Sequence, residues 1–274
     1  TPTLGGSAFW IIFILISFVG TSYLGVWAFH NNSVQAAVIS FVFAVMTIFG
    51  VILSKFEIFD SGTWAQNTFS FTLGFLLWII FLGGSSKSIL AITQNSLFAS
   101  ISSQLPQFLE FSFNTFIIPI AEETFWMIGI PFALISIMKL VGKKYSFVNN
   151  IYFEMLIISL VTGVTFALFH VGKLFFAFLV AAFLFRAVMI MSVIGEPAFL
   201  GSAKKYKVIS LVPAFALGAH IGNNMADFGF GNSIIQLTSN PEIGIGVFVL
   251  FIIIFGSAAY QVYLLFARPK GFRG

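Results

Sequence analysis

Charge is scarce in this chain. Only 8% of its 274 residues are Asp, Glu, Lys or Arg, against about a quarter in an ordinary soluble domain, too few to clothe a water-facing surface. Cysteine is absent, which excludes a disulfide framework and a thiolate metal site and leaves the redox compartment open. What is present instead is apolar: 59% hydrophobic residues, 18% aromatic, 38 phenylalanines and a mean hydropathy of +1.03. This composition specifies an all-α, polytopic membrane protein forming a single domain over residues 1–274, with the abundant Phe as lipid-facing and packing surface. The net charge of +4 and pI near 9.4 do not call for nucleic acid, because the basic residues fall in short loops between apolar runs, where the positive-inside rule accounts for them. Thr1 to Ser7 has no basic n-region and the first apolar run is long enough to span, so no cleavable signal peptide is expected.

About eight spans follow from the apolar runs: Ala8 to Phe29, Val34 to Leu53, Phe69 to Leu82, Thr115 to Leu140, Ile151 to Phe169, Leu174 to Ile194, Val208 to Phe228 and Ile243 to Phe266. His30 closes the first and is expected to face water. Ser86 to Asn114 mixes Leu, Ile and Phe with Ser, Gln and Asn, and reads as an amphipathic, interfacial segment before the fourth span. The charges give an independent count. With both termini on one side, that side collects Lys55, Lys139, Lys143, Lys144, Lys204, Lys205, Lys207, Arg268, Lys270 and Arg273, while the other receives only Lys87 and Lys173. This asymmetry places both termini in the cytoplasm of a cell-membrane protein.

Within the fourth span, Glu122 and Glu123 stand side by side. A carboxylate in hydrocarbon costs several kcal/mol, so an intramembrane acid marks a functional site by default. Two adjacent acids cannot both carry charge cheaply, and one is expected to be neutralised by a proton, a cation, a histidine or a metal. Glu122 lies about seven residues, or roughly 10 Å, into its span. With the topology above, it shares one leaflet with His170 at the end of the fifth span and with His220 and Asn224 in the seventh. His220 and Asn224 are i and i+4 on one helical face, and Asp227, an interfacial polar residue, continues the stripe. Two acids, two imidazoles and a carboxamide can polarise a water or hold a divalent metal through Glu122, His170 and His220. A carboxylate and an imidazole can deprotonate a water while another imidazole and an amide N–H stabilise an oxyanion, the two tasks of amide hydrolysis. Pro119 and Pro131 bracket the pair and are expected to kink the helix and free carbonyls near the site.

Glu122-Glu123, then Phe166 to His170, then His220 to Asn224 resemble the EExxxR, FxxxH and HxxxN motifs of the CAAX protease and bacteriocin-processing family of intramembrane proteases. The motifs occur in that order, each in a separate span, over a core of about residues 117–227. The resemblance implies a glutamate-dependent endopeptidase with eight transmembrane helices that cleaves a membrane-associated peptide or protein. Glu122 and His170 would activate water, His220 and Asn224 would stabilise the oxyanion, and Glu123 would be a supporting carboxylate, with Phe166 opening the histidine motif. The pattern has arginine four residues after Glu123, where this chain has Met127. Arg186, in the sixth span, could take its place from another helix.

Two other classes use the same residues. A catalytically silent relative, serving as scaffold or partner subunit of a larger membrane complex, would accommodate Met127. A proton-coupled carrier or metal-binding protein would use the Glu and His cluster as a relay, but needs a path to both faces, and the inner halves of the spans offer only Glu154 and Arg186. Because the charge count opens the site outward, prenylated substrates, which require a cytoplasmic site, are not expected. Ser86 to Asn114 is well placed to admit a peptide laterally.

Overall fold

A computed structural model describes residues 4–56, 58, 63–82, 96–170 and 205–227. Among the described residues every regular element is a helix: α1 (Leu4–His30), α2 (Val34–Leu53), α3 (Trp64–Leu82), α4 (Ser96–Ser102), α5 (Gln107–Gly142), a 3-10 turn (Ser146–Asn149), α6 (Ile151–Phe169) and α7 (Lys205–Asp227). Three of these, Ala8–His30 within α1, α2 and α5, are long and apolar enough to cross a membrane. This is the build of a helical membrane protein.

The helices begin and end for local reasons. Asn32, at φ 51°, takes the left-handed conformation that Asn tolerates, and Ser33 then caps α2 by accepting the Ala36 amide at 3.3 Å. The chain thereby folds α2 back along α1, and His30 at the turn is exposed. Lipid offers no hydrophobic drive between helices, so small polar bonds and close packing hold the pair. Ser17 Oγ and Thr47 Oγ1 meet at 2.8 Å, and Ser40 Oγ donates to the Thr21 carbonyl at 2.5 Å.

α5 is not a uniform α-helix. Phe113–Ile117 and Thr124–Gly129 are π-helical, and the α-helical turn between them is Ile118–Glu123. Each π segment ends just ahead of a proline, and proline chemistry explains both. A proline ring collides with the carbonyl four residues back and supplies no N–H, so the preceding turn must widen. Ile118 N–H accordingly reaches back five residues to the Phe113 carbonyl, and Ile130 N–H reaches the Phe125 carbonyl. In that register the next carbonyls, of Asn114 and Trp126, would need N–H groups from Pro119 and Pro131. The Glu pair therefore sits on a short α turn suspended between two widened ones.

α7 packs chiefly along α3, and glycine permits the approach. Gly218 and Gly222 form a G-x-x-x-G pair on α7, and a Cβ at Gly218 would run into the Phe71 backbone, while one at Gly222 would lie 2.9 Å from the Phe75 carbonyl oxygen. Gly50 of α2 and Gly129 of α5 meet in the same way, a Cβ on Gly129 coming within 2.8 Å of the Gly50 Cα. These contacts hold α7 against α3 and α5 against α2.

Several boundaries differ from the sequence expectation. The Glu-bearing helix starts at Gln107, behind Pro106 at its N-cap, rather than at Thr115. Leu109, Phe111, Phe113 and Asn114 are buried, so the end of the supposed interfacial segment is helix and core. Its Glu, Ser and Asn lower the hydropathy but do not face water throughout. Glu122 is thus fifteen residues into its helix, about 22 Å along it at 1.5 Å per residue, not 10 Å. α3 starts at Trp64, five residues before Phe69, which supplies the length that run lacked. The expected sixth and eighth spans, Leu174 to Ile194 and Ile243 to Phe266, lie outside the described residues.

Replacing Gly218 by Leu is expected to destabilise the protein by about 3 kcal/mol or more, since its partner is backbone and cannot repack. Leu156→Ala, at an exposed position, should stay within roughly 0.5 kcal/mol of the parent when both are unfolded in detergent.

Candidate functional site

The short α turn of α5 carries Glu122 and Glu123 at 0% and 2% exposure. Both are too buried to be solvated, so their partners must come from other helices. α6 ends at Phe169, and His170 follows in the bend, its amide held by the Ala167 carbonyl at 3.0 Å. His170 Nδ1 donates to the Phe166 carbonyl at 2.8 Å. A carbonyl can only accept, so Nδ1 carries a hydrogen and Nε2 faces the other side. That Nε2 lies 3.7 Å from Glu122 Oε1.

The ring is fixed from two more directions. Phe166 lies against it with centroids 4.4 Å apart, and Trp126 meets Phe166 edge-on at 5.2 Å. Trp126 Nε1 donates to Thr165 Oγ1 at 2.9 Å, tying α5 to α6 one turn before the histidine. Phe166, expected only as a motif residue, thus positions His170 twice, through its carbonyl and through its ring.

α7 supplies the second histidine between Gly218 and Gly222. His220 Nδ1 is 2.9 Å from Glu123 Oε1, and its Nε2 is 3.8 Å from Glu122 Oε2. The two imidazoles therefore approach the two oxygens of Glu122 separately, one from α6 and one from α7. Glu123 has His220 as a hydrogen-bond partner, and Met127, four residues on, is buried. The alternative partner, Arg186, lies outside the described residues.

Asn224 stands one turn beyond His220, and its Nδ2 donates to the Asn114 carbonyl at 2.6 Å. This is the carbonyl that Pro119 leaves without an intrahelical donor. Asn223 Nδ2 donates in turn to Asn224 Oδ1 at 3.1 Å, so one N–H of the Asn224 amide is committed to the helix and its orientation is set. Asp227 closes α7, but its side chain lies outside the described residues.

The structure brings Glu122, Glu123, His170 and His220 together, with Phe166 against both imidazoles and Asn224 one turn along α7 on the Asn114 carbonyl. Glu154, in the first turn of α6, is buried near the other end of that helix and does not join them. Among the described residues no group of three or more His, Asp or Glu side chains is arranged to hold a metal ion. An apolar groove of about 530 Å³ runs between α1 and the start of α5, past Val19, Tyr23, Phe108 and Phe113, and none of the clustered residues lines it.

Three contributors escape a reading of polar residues alone. The Asn114 carbonyl is signalled only by a proline five positions on, Trp126 by its pairing with Thr165 across helices, and Gly218 with Gly222 by their spacing around His220. Compared with protein-family models, curated proteins and solved structures, the chain matches none of them.

Removing the Asn224 amide with Asn224→Leu leaves a buried carbonyl without its donor and should cost about 1–3 kcal/mol. Pro119→Ala returns an N–H to α5. In that background the same substitution should cost less, giving a coupling of at least about 0.5 kcal/mol in a thermal or denaturant double-mutant cycle.

Proposed function

We propose that the chain is a glutamate-dependent intramembrane endopeptidase of the CAAX protease and bacteriocin-processing type. On this reading it is an eight-span protein of the cell membrane with cytoplasmic termini, cleaving a membrane-associated peptide or protein. The observation that carries the proposal is the spacing of Glu122 Oε1 and His170 Nε2. At 3.7 Å they are too far apart to bond each other and suitably spaced to bond one water together. With Nδ1–H on the Phe166 carbonyl, the neutral form of His170 offers Nε2 as an acceptor beside the carboxylate, and a water between them would point a hydrogen at each. That water would present its oxygen lone pair outward as the nucleophile.

In the proposed reaction Glu122 takes a proton as the water oxygen bonds to the substrate carbonyl carbon. Charge then develops on the former carbonyl oxygen. His220, when protonated, offers Nε2–H toward that charge, held in aim by its Nδ1–H to Glu123, and the remaining N–H of Asn224 can serve as a second donor. Collapse of the tetrahedral intermediate breaks the C–N bond, and the proton on Glu122 passes to the leaving amine. Glu123 acts through His220 and is a positioning residue in this scheme.

One observation favours a second reading. Met127 is buried where the motif has arginine, so the chain lacks that charge on α5. A silent relative acting as a scaffold or partner subunit of a membrane complex would tolerate the loss. The difference is testable by incubating the purified protein with a membrane-peptide library, beside folded Glu122→Ala and His170→Ala variants. The enzyme reading expects cleavage by the parent and at least a hundredfold loss in each variant. No cleavage by the parent, with a partner co-purifying at fixed stoichiometry, would favour the subunit.

A further inference from the structure

α5 is long and apolar enough to cross a membrane, and its far end carries two kinds of side chain that do not ordinarily share a surface. Lys139, Lys143 and Lys144 are exposed there. Leu140, Val141, Tyr145 and Phe147 are exposed among them, Tyr145 by 48% and Phe147 by 62%. A turn lying in water would hide those apolar groups, and a turn lying in hydrocarbon would not carry the lysines. Both kinds belong together at the boundary, where aromatic rings sit at headgroup level and lysines reach toward the phosphates.

The turn is held in shape. Val148 is buried with Ile135, Met138 and Ile158, the Lys144 and Tyr145 amides both donate to the Val141 carbonyl at 3.0 Å, and Phe147 meets Phe153 of α6 edge-on at 5.4 Å. Lys144 Nζ lies 5.3 Å from the centre of the Tyr145 ring, which keeps the ammonium beside the aromatic group. From Thr124 to His170 the only acid is Glu154, and it is buried, so the exposed charge along this stretch is all positive. α7 adds to it. His220 meets Glu123 while Asn224 reaches back to the Asn114 carbonyl, so α7 runs antiparallel to α5 and starts, at Lys205 and Lys207, toward the end where α5 finishes. The macrodipole of α5 accounts for a lysine at its own C-terminus but not for lysines in the first turn of α7, where the helix end is already positive.

We propose that the turn between α5 and α6 is a binding surface for the headgroups of an anionic phospholipid, with Lys143 and Lys144 on the phosphates and Tyr145 and Phe147 in the boundary beneath them. Clusters of roughly four to eight basic residues beside a membrane helix attract anionic lipid, each lysine by about fivefold in affinity. Lys139, Lys143, Lys144, Lys205 and Lys207 bring five to this end of the bundle. The proposal stands apart from the endopeptidase reading. It anchors in the bilayer the end of the helix that carries Glu122 and Glu123.

The test titrates the full-length protein in detergent with phosphatidylglycerol and, separately, with phosphatidylcholine of the same chains, reading Kd for each. The parent should bind phosphatidylglycerol about 25-fold more tightly or better, and about 1 M salt should remove most of the difference by screening. Lys143→Gln with Lys144→Gln should weaken phosphatidylglycerol about 25-fold, fivefold for each lysine, and leave phosphatidylcholine within about twofold. Lys143→Arg with Lys144→Arg, which keeps the charge, should match the parent, and so should Lys55→Gln, which removes an exposed lysine outside the turn. Where the double variant folds poorly, Lys143→Gln against Lys143→Arg gives the same comparison at about fivefold. Equal affinity of the parent for the two lipids, or a preference unchanged in the double glutamine variant, would overturn the lipid surface. Tighter binding of polyglutamate than of phosphatidylglycerol would overturn it too, by assigning the lysines to an acidic protein.

Discussion

Glu122 and Glu123 are consecutive residues of one helix with apolar neighbours, and each must find a polar partner inside the protein or be ruinously costly to bury. Consecutive helical residues point about 100° apart, so one neighbouring helix cannot serve both fully. α6 brings His170 to one oxygen of Glu122, and α7 brings His220 to the other while also bonding Glu123. The three-helix arrangement follows from that requirement. The packing devices serve it too: Gly218 and Gly222 let α7 lie against the α3 backbone with His220 between them, and Gly50 with Gly129 seat α5 on α2.

Backbone chemistry and side-chain chemistry are coupled at the same place. Pro119 and Pro131 widen α5 on either side of the Glu pair, which alters the helical phase and withdraws N–H groups from the ladder. One carbonyl so affected, that of Asn114, is bonded by Asn224, so a defect in one helix becomes a tie to another. π segments recur at functional sites for this reason: they trade local hydrogen bonding for groups that can be used elsewhere.

Much of this was legible in the sequence, and the limits have physical causes. α2 and α6 run over the residues their apolar runs predict, because Ser33 and Asn150 accept amides of the first turn ahead of mainly apolar stretches. The start of α5 was not legible, because Glu110, Ser112 and Asn114 look like surface in one dimension although Asn114 is buried. Hydropathy cannot distinguish a polar residue facing water from one facing a neighbouring helix. The polar residues of the site could be named individually from their types and spacing, and the prolines flagged a distorted helix. That His220 would pair with Glu123 could not be read, since it depends on how far α7 slides along α3, which the glycines and not the charged residues determine.

The central claim is that Glu122 and His170 hold one water between them as the nucleophile. Its most direct test is an experimental structure at a resolution that places ordered waters, with the protein in a lipid-like environment. The account predicts a water within about 3 Å of both Glu122 Oε1 and His170 Nε2, with His170 Nδ1 still on the Phe166 carbonyl. A direct Glu122–His170 hydrogen bond shorter than about 3.2 Å, or an apolar side chain filling the space between them, would contradict it.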